Sequence, residues 1–324
     1  MKVVVLHDGL SADASRDQQD VLIQAGSVSK ALAGQGHEPV ILSVSADLSR
    51  LIGQLDAIRP DFVFNLVESV IGDGRLIHLA PSILDHLKIP YTGARTEAIF
   101  ATSHKLMAKR FMQANGLHTP LWIANGEACL DSFIPDCYII KSVWEHASVG
   151  LDEHSMVSVR DLKRVYEEMA SRRASLGGDC FAERFIAGRE FNLSLLTDRK
   201  RPEVLPPAEI CFEGYPSDKP HIVCYRAKWV DDSFEYSHTT RTFQFPPEDS
   251  FLLRKLTDLA IDCWRLFDLK GYARVDFRVD QDGRPWVLEI NANPCLSPDG
   301  GFYAAAEQAG LSFNQVIERI ITDL

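Results

Sequence analysis

The sequence predicts an α/β protein whose C-terminal half is α+β. Apolar, β-branched runs alternate with helical patterns over residues 1–95, and strand patterns become longer and more frequent after residue 180. The length of 324 residues, with 46% hydrophobic and 24% charged residues, is enough to bury a large core. We therefore expect a globular protein of about two domains, or two to three lobes around one cleft.

The composition excludes several classes of function. The chain has 34 Lys and Arg against 45 Asp and Glu, a net charge of −11, which opposes non-specific binding to nucleic acid or anionic lipid. A local basic pocket stays compatible with this balance. No stretch resembles a membrane span or a signal peptide, so we expect a cytoplasmic protein. Seven scattered cysteines without a C-x-x-C pair argue against a disulfide framework or a structural zinc site.

The first 95 residues repeat a strand–helix unit. We predict strands at 3–6, 38–44 and 61–66, helices at 20–33, 49–57 and 77–87, and a last short strand at Tyr91. This alternation predicts parallel strands with helices on both faces. Such sheets bind ligands at the carboxyl ends of their strands, here the loops that start at His7 and Asn65.

After residue 95 the regular alternation of predicted strands and helices ends. We predict one amphipathic helix over 96–115, a strand at 138–141, a helix over 161–174 and a late helix over 302–309. Antiparallel strands are predicted at 181–185, 190–197, 203–211, 273–279 and 285–290. Residues 213–248 are rich in Gly, Pro, Ser, Asp and aromatic residues without periodicity, and we interpret most of this segment as a long functional loop.

The strongest chemical signal is a predicted hairpin near the C-terminus. Alternation places Arg274, Asp276 and Arg278 on one face of its first strand, and Glu289 and Asn291 on one face of its second. If the turn at Gly283 joins them, two carboxylates and an amide oxygen converge, a ligand set that Mg²⁺ takes when it also holds phosphates. The alternative is an ordinary polar face, although these polar residues stand in an otherwise apolar strand.

At this point the chain resembles the ATP-grasp carboxylate–amine ligases, and within them the D-alanine:D-alanine ligases, over nearly its whole length. The order and spacing of many short segments carry the resemblance: Ser11-Ala-Asp13, Pro90-Tyr-Thr-Gly93, Lys105-Leu, Ile140-Lys141, Ala147-Ser148-Val149-Gly150, Glu183-Arg-Phe-Ile-Ala-Gly188-Arg-Glu190-Phe, Leu205-Pro206, Glu209-Ile210, Tyr225-Arg-Ala-Lys228-Trp229, Arg274-Val-Asp276 and Glu289-Ile-Asn291-x-x-Pro294.

The resemblance implies an ATP-grasp fold in three parts: a Rossmann-like N-terminal domain (1–95), a central lobe (96–180) and a C-terminal lobe with the metal and catalytic residues (181–324). It implies ATP and Mg²⁺ (or Mn²⁺) as cofactors and small-molecule carboxylate and amine substrates, most simply amino acids. It also implies a homodimer, with no nucleic-acid or membrane partner. In the family, ATP phosphorylates a carboxylate and an amine then attacks the acyl phosphate, chemistry that depends on positioning and on neutralising charge.

By the same resemblance, several residues bind ATP. Lys105 and Lys141 bind the nucleotide phosphates, Lys228 reaches the transferred phosphate, and Ser148 belongs to a small-residue loop that closes over the phosphates. Glu183 and Glu190 are assigned to nucleotide binding, with Glu190 as the ribose ligand. The plain alternatives are solvated surface lysines and exposed salt bridges.

The resemblance assigns the catalytic residues as well. Arg274 resembles the family's arginine that neutralises the tetrahedral oxyanion. From its position just after Asn-Pro alone, we hypothesise that the backbone N–H of Cys295 donates to the same oxygen. Asp13 stands where the family has a glutamate that holds the ammonium of the first substrate. The Cys295 thiol also suggests a nucleophile, but a reaction through an acyl phosphate needs none.

The sequence departs from the family at the substrate pockets. Glu68 lies in a loop where the ligases have His-Gly, and it either faces the cleft or is a satisfied loop carboxylate. Trp229 replaces a tyrosine, Ala147 a serine, and Gly300 the serine that binds the second substrate's carboxylate. The N–H groups of Gly300 and Gly301 could still receive that carboxylate. Asp299 either caps the following helix or faces the acceptor pocket and selects a cationic or amine-bearing substrate.

We therefore expect an ATP-dependent ligase that forms a peptide-type bond and resembles D-alanine:D-alanine ligase. The alternatives are a dipeptide or amino-acid ligase of secondary metabolism with another substrate pair, and a nucleotide-binding regulator without turnover. A dinucleotide oxidoreductase is disfavoured, because no G-x-G-x-x-G follows the first strand.

Overall fold

The computed structural model describes residues 1–10, 14–124, 127–128, 133–145, 148 and 150–324. Three β-sheets follow one another along this part of the chain. Single-turn 3₁₀ helices lie at Gly74–Leu76, Glu153–Ser155 and Pro247–Asp249. None of the helices in the described ranges is long and apolar enough to cross a membrane.

The first sheet is parallel, with strand order β2-β1-β3. Its elements are β1 (Lys2–Asp8), α1 (Arg16–Gly34), β2 (Glu38–Val44), α2 (Leu48–Ile58), β3 (Phe62–Asn65) and α3 (Leu79–Leu87). The predicted strand–helix repeat is therefore confirmed, and Tyr91 adds only an isolated parallel bridge to Val63. His7 and Asn65 lie at the carboxyl ends of adjacent strands, as predicted.

The single helix predicted over 96–115 is wrong. The structure has two helices, α4 (Thr96–Ser103) and α5 (Lys105–Ala114), which meet at His104. The His104 ring nitrogen Nδ1 accepts from Met107 N at 3.2 Å and caps α5. Lys105 N leaves the helical pattern and donates to Val143 O at 3.1 Å. The break therefore ties the start of α5, and with it Lys105, to the next sheet.

The middle sheet is antiparallel, with order β5-β4-β8-β6-β7. Its elements are β4 (Trp122–Ala124), β5 (Glu127–Ala128), β6 (Asp136–Ser142), β7 (Met156–Val159), α6 (Leu162–Arg172) and β8 (Cys180–Arg184). The strand predicted at 181–185 thus pairs within this sheet. The change to the last sheet falls between Arg184 and Gly188, a few residues after the boundary expected at 180.

The last sheet is also antiparallel, with order β12-β11-β9-β13-β14 and β10 paired to β9. Its strands are β9 (Gly188–Asp198), β10 (Arg201–Val204), β11 (Ala208–Phe212), β12 (Thr239–Thr242), β13 (Tyr272–Asp280) and β14 (Pro285–Asn291). The single strand predicted over 203–211 is wrong, because it is divided between β10 and β11. Pro206 and Pro207 lie at the division, where they have no N–H to donate to a ladder.

The segment predicted as a long loop contains short regular elements. It holds α7 (Tyr225–Trp229) and α8 (Phe234–His238) as well as β12, so the prediction of an irregular segment is correct only in part. The remaining helices are α9 (Ser250–Leu266), α10 (Gly301–Gln308) and α11 (Phe313–Ile321). Helices α4, α5 and α9 share an apolar core with β9, β13 and β14.

The residues after β14 join the last sheet to the first. Asn293 Nδ2 donates to Val67 O at 2.9 Å, and Leu296 N donates to Gln24 Oε1 at 2.9 Å. These contacts bring the end of the hairpin strand β14 to the carboxyl edge of the parallel sheet. The cleft predicted from sequence therefore has side chains from both sheets.

Candidate active site

The hairpin β13–β14 has the pairing that the sequence predicts. Asp276 lies opposite Glu289 and Arg274 lies opposite Asn291, with a register shift between Asp276 and Phe277. The turn closes through Gly283 N, which donates to Asp280 O at 3.0 Å. The two carboxylates and the amide therefore stand together on one end of a rigid hairpin.

Arg274 and Asp276 form a two-bond ion pair. Arg274 Nε donates to Asp276 Oδ1 at 2.8 Å, and Arg274 Nη2 donates to Oδ2 at 2.9 Å. From the neighbouring strand β9, Asn192 Nδ2 donates to Oδ1 at 2.8 Å. Burial lowers the pKa of Arg274, but Asp276 outweighs this effect, so the pKa lies above its ordinary value. The guanidinium is held charged, and its direction is fixed.

Lys228 lies on α7 in the long segment and is close enough to Asp276 and Glu289 for their charges to act on it. Burial and the charge of Arg274 lower the pKa of Lys228, while Glu289 and Asp276 oppose that shift. Trp229 follows it as the last residue of α7 and is half-buried. The structure thus brings the predicted Lys228 near the hairpin, although Lys228 and Asp276 are 48 positions apart in the sequence (276 − 228).

The phosphate-side loop touches the long segment directly. Ser148 has a positive φ of 62° and its Oγ donates to Val223 O at 2.8 Å. Tyr225 N donates to Leu151 O at 3.0 Å. Ser148 therefore uses a backbone partner in the long segment. The predicted departure at Ala147 lies outside the described residues.

The two predicted phosphate lysines approach the hairpin from the middle region. Lys105 is 8% exposed, and its Nζ donates to Glu145 O at 2.6 Å. Burial lowers the pKa of Lys105, and the charge of Glu289 on the hairpin opposes this. Lys141 Nζ donates to Glu183 Oε1 at 2.6 Å. Neither lysine is the solvated surface residue that was the alternative.

The two predicted nucleotide carboxylates are buried and paired with cations. Glu183 lies between Lys141 and Lys109, whose Nζ is 2.5 Å from Glu183 Oε2. Glu190 accepts from Arg278 Nη2 at 2.7 Å, and Arg278 also donates to Gly188 O at 3.3 Å. The alternative of exposed salt bridges is wrong for both glutamates, because they are 2% and 8% exposed.

Glu68 belongs to a cluster of carboxyls at the carboxyl edge of the first sheet. Glu68 N donates to Asp8 Oδ1 at 2.7 Å, and Gln24 Nε2 donates to both Glu68 Oε1 and Asp20 Oδ2. Burial and the charge of Asp8 raise the pKa of Glu68 to about 8, and burial raises the pKa of Asp8 to about 6. This cluster is close enough to Arg274 for the guanidinium to act on Glu68. Asp13, the predicted ammonium ligand, lies outside the described residues.

The segment after β14 carries the predicted acceptor residues. Cys295 Sγ donates to Asp20 Oδ2 at 3.1 Å and accepts from Ser297 N at 3.3 Å. Helix α10 begins at Gly301 with Gly300 at the N-cap position, and no side chain caps it there. Capping by Asp299, one of its two interpretations, is therefore not observed.

Arg241 is a residue that sequence reasoning missed. A methyl group added at Gly301 would lie 3.9 Å from Arg241 Nη2, so the guanidinium lies over the start of α10. Burial and the charge of Arg274 lower the pKa of Arg241, and Asp299 opposes this. The missed residues Lys109, Asn192 and Arg241 all meet the site through contacts distant in sequence. For Arg278, by contrast, the sequence did give a signal, because alternation places it on the same strand face as Asp276.

The comparisons with known proteins agree with this fold. A family model described as D-ala D-ala ligase C-terminus matches residues 134–322. The chain is 28% identical to the D-alanine--D-alanine ligase of Aquifex aeolicus, covering 99% of this chain and 100% of that protein. It is 28% identical to the D-alanine--D-alanine ligase of Bordetella petrii, covering 99% and 91%. A crystal structure of the D-alanine--D-alanine ligase from Bacillus anthracis complexed with ATP superposes with a TM-score of 0.74, at 20% identity, and covers 100% and 97%.

The fold and site define the chain as an ATP-grasp protein, and the predicted fold class is confirmed. Because the family model covers more than half of the sequence, the chain belongs to the D-alanine–D-alanine ligase C-terminal family. The predicted enzyme class, a ligase like D-alanine:D-alanine ligase, is confirmed as well. The division at residues 95 and 180 and the roles of individual residues stay predictions.

Proposed function

We propose that the protein is an ATP-dependent, ADP-forming ligase that joins the carboxylate of one amino acid to the amine of another. The observation that carries the proposal is the convergence of Arg274, Asp276, Glu289 and Asn291 on one hairpin, with Lys228 beside them. A nucleotide-binding regulator would need no fixed guanidinium beside its metal ligands. The proposal therefore favours turnover over regulation.

Asp276, Glu289 and Asn291 would hold Mg²⁺. Their donor set is two carboxylates and an amide oxygen, all hard ligands, and Asp276 Oδ2 keeps a second lone pair beyond its bond to Arg274. Bound there, Mg²⁺ would neutralise charge on the ATP phosphates. Lys105, Lys141 and Lys228 bring three more positive charges to the phosphates, and Ser148 belongs to the loop over them. Glu190, held by Arg278, would accept from the ribose hydroxyls.

The reaction proceeds in two displacements. An oxygen of the first substrate's carboxylate attacks the γ-phosphorus, the bond to ADP breaks, and an acyl phosphate forms. The deprotonated amine of the second substrate then attacks the acyl carbon, and the tetrahedral oxyanion receives donors from Arg274 and the N–H of Cys295. The nitrogen releases a proton to solvent, phosphate leaves with its electron pair, and the amide remains.

The residues around the cleft would recognise the two substrates. Asp13 and the carboxyl cluster at Glu68 would face the ammonium of the first substrate. The carboxylate of the second substrate would lie at Gly300 and Gly301. Arg241 would attract it with a positive charge, in place of the serine hydroxyl that this chain lacks. Trp229 and Asp299 would line the acceptor side. The D-alanine pair is the first candidate, and another pair, as in a dipeptide ligase of secondary metabolism, is favoured by the departures at Trp229 and Gly300. A cytoplasmic homodimer without nucleic-acid or membrane partners completes the proposal.

The experiment is phosphate release from Mg-ATP across single and paired amino acids of both chiralities, with mass spectrometry of the products. Turnover with D-alanine alone, giving D-alanyl-D-alanine, identifies the first pair. Turnover only with another pair assigns the chain to the second alternative. ATP binding without turnover on any pair would contradict the proposal of an amino-acid ligase.

A further inference from the structure

Arg278 is a buried arginine that joins three parts of the molecule. It lies on β13 of the last sheet and is 3% exposed. Its Nη2 donates to Glu190 Oε2 at 2.7 Å and also to the backbone oxygen of His221 in the long segment. Its Nη1 donates to the backbone oxygens of Ile186 and Gly188, at 3.4 and 3.3 Å. One guanidinium therefore contacts the predicted ribose carboxylate, the connection between β8 and β9, and the long segment.

Two aromatic rings pack against this guanidinium. The ring centroid of Phe185 lies 5.0 Å from Arg278 Cζ, and that of Phe212, on β11, lies 5.8 Å away. The Phe212 ring also stacks on the ring of His221, with centroids 5.2 Å apart. A planar guanidinium can donate along its edges while it packs on rings, whereas an ammonium is a compact point charge. Arg278 is therefore held by packing as well as by hydrogen bonds.

The contact at His221 lies seven positions before Lys228 in the sequence. Between these two residues, Ile222 and Cys224 are buried in an apolar cluster with Ile139 of the middle sheet. Helix α7, which carries Lys228, begins directly after Cys224. Side chains in a close-packed cluster move together with their neighbours. A shift of His221 would therefore displace a packed stretch of chain that ends at Lys228.

We propose that Arg278 is a positioning residue, which holds Glu190 in place for the ribose and, through His221, holds Lys228 in place for the transferred phosphate. Arg278 bonds to Glu190 Oε2, which leaves Oε1 for the ribose hydroxyls. A nucleotide bound at Glu190 then meets Lys228 at a distance that one guanidinium sets. The inference rests on the proposed function, which supplies the ribose role of Glu190 and the phosphate role of Lys228.

The kinetic test compares Glu190→Gln with the double variant Glu190→Gln/Arg278→Met. The single variant keeps the bond from Arg278 to His221 O, so the KM for ATP should rise while kcat stays within about threefold of the wild type. The double variant has no buried charge left at this place, but it loses the bond to the long segment. Its kcat at saturating MgATP should therefore fall about tenfold or more below that of the single variant.

Equal kcat values in the two variants would overturn the inference, because Arg278 would then serve Glu190 alone. The control is Arg265→Met, since Arg265 is an exposed arginine on α9 and its loss should leave both constants at the wild-type values.

A second readout uses the thiol of Cys224 and needs no turnover. Cys224 is 5% exposed, and Cys263, in the apolar core around α9, is the internal control at 0%. Peptide mass spectrometry follows the alkylation of both thiols by iodoacetamide. In the double variant, Cys224 should react about tenfold or more faster than in Glu190→Gln, while Cys263 changes by less than about threefold. An unchanged rate at Cys224 would overturn the inference.

If the double variant does not fold, Arg278→Lys takes its place. A lysine keeps a positive charge for Glu190 but lacks the fork that also reaches His221 O, so the same rise at Cys224 is expected and the same unchanged rate would contradict the inference. Because alkylation needs no substrate, a wild type that does not ligate amino acids would contradict the proposed function and leave this readout intact.

Discussion

Arg274 and Asp276 are two residues apart on one strand, and the guanidinium of the first donates two hydrogen bonds to the carboxylate of the second, at 2.8 and 2.9 Å. One is the proposed oxyanion donor and the other a proposed metal ligand. Their ion pair therefore fixes the distance between the two centres of the reaction. A substitution of either residue should therefore affect both the oxyanion donor and the metal site.

Arg274→Lys tests the oxyanion role. A lysine keeps the charge but loses the fork that holds Asp276, so we expect kcat to fall about 100-fold or more. The KM for ATP should change by less than about threefold. Steady-state phosphate release measures both, with Arg284→Lys at the exposed hairpin turn as control. Equal losses in the two variants would argue against a role at the reacting atoms.

Asp276→Asn tests the metal site. Removing one of two carboxylates should raise the Mg²⁺ concentration for half-maximal activity about tenfold or more. Asp282→Asn is the matched control, because Asp282 is exposed in the turn of the same hairpin. A Mg²⁺ titration of initial rates gives the comparison. The assignment fails if both variants need the same concentration as the wild type.

Glu68 predicts a pH dependence of stability. Burial and Asp8 raise the pKa of Glu68 from 4.5 to about 8, so the folded protein binds this proton more tightly than the unfolded chain. Its contribution to stability is complete below about pH 4.5 and is lost as the pH rises to about 8. As the pH rises over this interval, the Tm of Glu68→Gln minus the Tm of the wild type should therefore increase by about 2 °C or more. Thermal unfolding at several pH values measures the gain, and exposed Glu307→Gln should show none.

Cys295→Ser should keep turnover within about threefold of the wild type, because only the backbone N–H is assigned to the reaction. Burial raises the pKa of the Cys295 thiol, which opposes formation of a thiolate nucleophile. A serine hydroxyl can still donate to Asp20. Loss of all turnover in a variant with normal Tm would show that the thiol takes part.

Asp299→Ala tests acceptor selection, since no side-chain cap is present at α10. If Asp299 attracts a cationic acceptor, its removal should raise the KM for that acceptor about tenfold while the KM for the first substrate stays constant. The measurement is acceptor KM across neutral and cationic amino acids. An unchanged acceptor preference would leave Asp299 without a role in recognition.

The sequence predicted those parts of the fold that depend on local pattern. The repeat of strands and helices before residue 95 and the β13–β14 pairing follow from periodicity, so Asp276 and Glu289 could be placed together in advance. The break at His104 could not be predicted, because it depends on a hydrogen bond from Lys105 N to Val143 O, which lies just after the strand β6 and far away in sequence. Helices α7 and α8 have five residues each, too few to show a period.

The candidate site could likewise be predicted only in part from the sequence. Lys105, Lys141 and Lys228 were predicted by resemblance, and the structure places them near Glu289. Lys109 was missed because its partner Glu183 is 74 residues away, and nothing in its helix distinguishes it from a surface lysine. Glu183 was predicted by resemblance as a nucleotide-binding residue, and that role stays a prediction; its pairing with two lysines could not be predicted, because it needs the folded sheet.

The most direct test of the central claim is to follow ¹⁸O from the carboxylate of the first substrate. If the enzyme forms an acyl phosphate, one labelled oxygen of that carboxylate must leave with phosphorus, so each released phosphate carries one ¹⁸O and the nucleotide product is ADP. Label retained wholly in the amide and the unreacted acid, or released in AMP, would contradict the account.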